Sequence, residues 1–80
     1  MVYYVALPFV ELEGGLAPGE AVECAYAAAA IRRAEALASC QPNVGAIAFS
    51  RQGNPELGEF DDAVVLRTFG EVPDDFRFMI

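Results

Sequence analysis

The side chains able to do chemistry are few and poorly grouped. Asp61-Asp62 and Asp74-Asp75 are the adjacent carboxylate pairs, but neighbours on a strand point to opposite faces, so Asp61 and Asp62 do not converge on one ion. Glu59 and Asp61 do share a face, with Arg67 farther along the same parity. That set has the chemistry of a small acid–base or metal-assisted site; the simpler reading is a solvated hairpin end whose charges discourage edge pairing. Arg33, in the Arg32-Arg33 pair, could hold a carboxylate with its forked guanidinium, against the simpler reading of a solvated helix face. Tyr3, Tyr4 and Tyr26 have no basic residue at a useful spacing and read as packing residues. Cys24 and Cys40, with no histidine in the chain and no C-x-x-C, do not make a zinc site. GNPELG (53–58) is too poor in glycine for a phosphate loop. No catalytic residue, metal or cofactor is expected.

The totals agree with that. Eighty residues, 55% of them hydrophobic, predict one α+β domain over 1–80, with more apolar material than a chain this short hides easily. Twelve acidic residues against five arginines give a net charge of −7. A phosphate-tracking surface needs clustered cations, so nucleic acid is an improbable partner, and an anionic membrane would repel the chain. No run approaches the ~20 apolar residues of a membrane span, and a cytoplasmic location is expected. The remaining partner class is protein, either a second copy or another chain.

The positioning elements come from periodicity. Val2 to Leu12 is β-branched and aromatic, a strand with two apolar faces and a bend expected near Pro8. Glu13-Gly14-Gly15 and Ala17-Pro18-Gly19 are turn signals, and Glu20 to Cys24 alternates as a short second strand. Residues 26–39 form an alanine-rich helix whose stripe is Ala27, Ala30, Ile31, Ala34, Leu37 and Ala38; it lacks a Ser, Thr or Asp cap and stops at Pro42-Asn43. That helix holds Cys24 and Cys40 roughly 20 Å apart, well beyond the ~7 Å a disulfide spans. Val44 to Arg51 is a third strand and Phe60 to Phe69 a fourth, followed by an apolar tail over 71–80 ending in Phe76, Phe78, Met79 and Ile80.

The order ββαββ predicts a four-stranded antiparallel sheet of spatial order 2-1-3-4, with one helix packed on one face and the first strand central. Placing Ile47 and Phe49 under the helix leaves Tyr4, Ala6, Ala46, Ala48, Ala63, Val65 and Phe69 on the second face. From these, Tyr4, Ala46, Ala48, Ala63, Val65 and Phe69 are the candidate interaction surface, to be covered by a partner or by the tail.

GEAVEC…AAAAIRRAEALA (19–38), GAIAFSR (45–51) and GEFDDAVVLRTFGEVPDD (58–75) resemble a family of short alphaproteobacterial proteins of unknown function, a likeness that implies no activity. YYVAL with GEAVECAYAAAAIRRAEAL is similar to the opening strand and helix of HicB-type antitoxins, which implies an inhibitor masking a basic toxin. The aromatic-Pro-Asp-Leu-Pro-Gly stretch of those proteins is missing here. The same segments resemble SPOR peptidoglycan-binding domains, without their second helix. The leading expectation is a small non-enzymatic protein-interaction domain, homodimeric through the second sheet face. The alternatives are a ligand- or metal-binding enzyme built on Glu59 and Asp61, and an antitoxin-type inhibitor.

Overall fold

The structure is a computed structural model and describes residues 1–78 and 80. Among them the chain forms β1 (Val2–Leu12), β2 (Gly15–Pro18), β3 (Val22–Cys24), α1 (Ala27–Ala38), β4 (Asn43–Asn54), β5 (Glu59–Phe60) and β6 (Val64–Gly70), then a 3₁₀ turn at Phe76–Phe78. This is an α+β architecture: one helix against a curled antiparallel sheet.

The sheet has six strands, not the expected four, and its order is β2-β1-β4-β5, with β3 also on β1 and β6 also on β4. Turn chemistry accounts for the difference. Glu13 (φ 53°) and Gly14 (φ 81°) both lie in the left-handed region, the requirement of a two-residue hairpin turn that matches strand twist. The chain therefore returns at once, and Leu16 and Ala17, expected to border or form turns, pair with Glu11 and Val10 in β2. Pro18-Gly19 then breaks the lane, and β3 resumes it farther down β1, opposite Tyr4, Val5 and Ala6. On the far side, residues 61–63 separate β5 from β6, splitting the expected fourth strand.

Pro8 sits in the long central strand because of this break. Its carbonyl accepts the Gly19 amide at 2.8 Å. The N–H that proline lacks would point to the same side, into the gap between β2 and β3, so no ladder bond is lost. The expected irregularity lies beside it: the pairing with β4 shifts register between Phe9 and Val10.

The helix keeps close to its expected bounds. Tyr26 is its N-cap and makes no side-chain capping bond. At the other end the Asn43 side-chain amide donates to the Leu37 carbonyl at 3.0 Å, satisfying one of the orphan acceptors of the last turn. Ala30 and Ala34 are fully buried, with Ile31, Leu37 and Ala38 packed around them.

What the helix covers reverses the expectation. Ala30 and Ala34 cluster with Ala6, Ala46 and Ala48, all 0% exposed, and with Tyr4, Cys24, Leu66 and Phe69. The helix thus lies on the small-residue face, where methyl-on-methyl packing lets the backbones approach closely. The large residues Leu7, Phe9, Ile47 and Phe49 form a second buried cluster on the opposite face, with Val5, Ala63, Val72, Phe76 and Ile80 against it. Residues after β6 cross that face, so the tail folds back on the sheet. Met79 of the expected apolar tail lies outside the described residues.

Candidate interaction face

The sheet face away from α1 is the part of the fold with no second layer of its own. Its upper half, Leu7, Phe9 and Ile47, lies beneath Val72, Phe76 and Ile80. Its lower half is less covered, with Phe49 7% exposed and Tyr3 and Val5 half-buried. There Tyr3, Val5, Ala21, Phe49, Arg51 and Phe60 line a shallow cleft of about 470 Å³.

Strand register places these side chains. Val5 stands opposite Phe49, and Tyr3 opposite Arg51, so all four project from one face. Gly53 stands opposite Phe60, and a Cβ at Gly53 would overlap the Phe60 ring. That absence of a side chain lets Phe60 lie over β4 toward Tyr3, their ring centroids 6.1 Å apart and tilted by 43°. Phe60 nonetheless stays 52% exposed, a large apolar surface left in water at the cleft rim. Glu23 faces Val5 directly across β1 and β3, which puts one exposed carboxylate on the same face.

Arg51 is the cation of the cleft. Its Nη2 donates to the main-chain oxygen of Ile80, tying the tail to β4. Its Nε is buried with no hydrogen-bond partner among the described residues. The guanidinium thus sits between Tyr3 and Phe49, held on one side by the tail.

The expected surface residues divide. Tyr4, Ala46, Ala48 and Phe69 are packed beneath α1 rather than on the open face. Ala63 lies at the margin of the large-residue cluster, and Val65 pairs with Phe49 on the open side. The face was misassigned because both sides of β1 are apolar, and alternation does not say which side a helix will choose. Tyr3, Val5, Phe49 and Phe60 were missed as a surface for the same reason; their signal was side-chain size, since an alanine stripe packs most closely on alanines.

Glu59 and Asp61 are brought together, around an open recess of about 230 Å³ shared with Met1, Gln52, Gly53 and Asn54. Arg67 is not part of it; it pairs with Ala48 several residues away. Among the described residues no three His, Cys, Asp or Glu side chains group closely enough to hold a metal ion. Arg32 donates to the Tyr26 hydroxyl at 3.1 Å and stacks near its ring, while Arg33 is exposed. Cys24 and Cys40 are both free thiols. No helix among the described residues is long and apolar enough to cross a membrane.

Comparison with protein-family models, with curated proteins and with solved structures gives no match.

Proposed function

We propose that this chain is a small protein-interaction domain that binds through the sheet face opposite α1. The observation that carries the reading is the open cleft of Tyr3, Val5, Ala21, Phe49 and Phe60 around Arg51. A solvated sheet face is normally polar, alternating with an apolar inner one; here the outward residues are large and aromatic. Aromatic and aliphatic surface bordered by an arginine has the composition of an interaction core, where aromatics and arginine are enriched. The β2/β3 edge is a poorer candidate, because it is broken into short strands at Pro18-Gly19.

A photoreactive residue placed at Phe60, and separately at Arg33 on the exposed helix surface, tests this in the cells that express the chain. Irradiation should give protein adducts from position 60 and few from position 33. No adduct at 60, or equal yields at both positions, refutes the reading.

A further inference from the structure

We infer that the occupant of this face is a second copy of the same chain, docked about a two-fold axis that passes between Tyr3 and Val5, with Arg51 of each copy against Glu23 of the other. The inference rests on the interaction reading above and adds the partner and the contact.

Its basis is the placement of one cation and one anion around the Tyr3–Val5 half of this face. Glu23 stands beside Val5 in the β3 lane, and Arg51 beside Tyr3 in the β4 lane. They are separated by two strand spacings across the sheet and one two-residue step along it, about 12 Å between their Cα positions. They flank Tyr3 and Val5 from opposite corners, with those two side chains standing between them. A two-fold contact brings residue i onto j and j onto i. An axis through the Tyr3–Val5 midpoint lays each Arg51 over the other copy's Glu23 and packs the apolar centres against each other. The same surface is thereby complementary to itself in charge and in polarity.

The sheet margins are poor routes of approach. Two chains of net charge −7 repel each other, and Glu13, Glu20, Glu56, Asp61, Asp62 and Glu71 all lie in turns and connections at the sheet margins. Arg51 and Glu23 offset each other in charge, so approach over this half of the face meets less repulsion than approach at the acidic margins.

Sedimentation velocity of the full chain over a concentration series tests the inference, using wild type, Glu23→Arg, Arg51→Glu and an equimolar mixture of the two variants. Wild type should run at twice the 8.6 kDa chain mass. Each variant alone sets two like-charge pairs across the axis and should weaken dimerisation by about tenfold or more. The mixture should restore it, because a heterodimer holds one native and one reversed pair. Urea midpoints check that both variants fold. If Arg51→Glu does not fold after losing its hold on Ile80, Glu23→Arg, at an exposed position, is read alone and must still weaken the dimer. A dimer indifferent to the substitutions overturns the proposed contact. A wild-type monomer that still gives Phe60 adducts with a different protein overturns the second copy and leaves the interaction face standing. A monomer with no adducts overturns both.

Discussion

Ala48→Leu decides which side of the sheet the helix covers. Ala48 is 0% exposed in a cluster made of Ala6, Ala30, Ala34 and Ala46. Leucine adds three carbons there, and methyl groups have no rotamer with which to yield, so the strain must move α1 or distort β4. Overpacking of this kind costs roughly 1–3 kcal/mol; the rigid surroundings place it in the upper part of that range, about 2–3 kcal/mol. Total stability for a chain of this length is on the order of 4–12 kcal/mol, so the loss is a substantial fraction. It corresponds to a fall in Tm of roughly 8–24 °C. Ala36→Leu, on the exposed side of α1, is the control and should stay within about 0.5 kcal/mol of wild type. Urea and thermal unfolding followed by circular dichroism measure both. Were α1 on the face of Leu7 and Ile47 instead, Ala48→Leu would extend into open space and cost nothing, and that result would refute the packing described here.

Gly45→Ala should destabilise by about 2 kcal/mol or more, since a Cβ there would overlap the Glu71 main chain and part the bond from the Glu71 amide to the Val44 carbonyl. A urea midpoint within about 0.5 kcal/mol of wild type would mean that the chain does not cross β4 at this point. The exposed Cys40 should react with a soluble thiol reagent about tenfold or more faster than the half-buried Cys24. Mass spectrometry without reductant should find both thiols free in the fresh protein; an intramolecular disulfide would contradict the intervening helix.

The parts legible in the sequence were those with one dominant local signal. β-Branched and aromatic residues delimit β1 at Val2–Leu12, and the alanine run sets α1 to within a residue at each end. The outer lanes were harder. Leu16-Ala17-Pro18 carries too little β-propensity to announce a strand, and becomes one because Glu13-Gly14 closes a tight hairpin beside β1. β5 is two residues long, below the length at which alternation can be read. The pair Glu59 and Asp61 was legible as sharing a face, but Arg67 was not removable from it by parity, because the register shift between Ala48 and Phe49 breaks parity along β6.

The chain's apolar excess first suggests a surplus of core, yet much of it is alanine, which buries little area per residue. Among the described residues the large side chains completely buried are Phe9 and Ile47. The two faces of the sheet are thus unequal in kind. One is covered by a twelve-residue helix whose closest contacts are methyl on methyl, with Tyr4, Leu66 and Phe69 around them. The other carries the large side chains and receives only a short segment after β6. Fully burying a side chain of the size of Val5 or Phe60 contributes about 1.5–3 kcal/mol, and with Phe60 52% exposed and Val5 already half-buried the two leave on the order of 2 kcal/mol unrealised in the isolated chain. Simple solubility would favour polar residues there, and the internal core does not need Phe60 in water. A partner that completes the layer would account for both, which is the physical ground on which the proposed interaction rests.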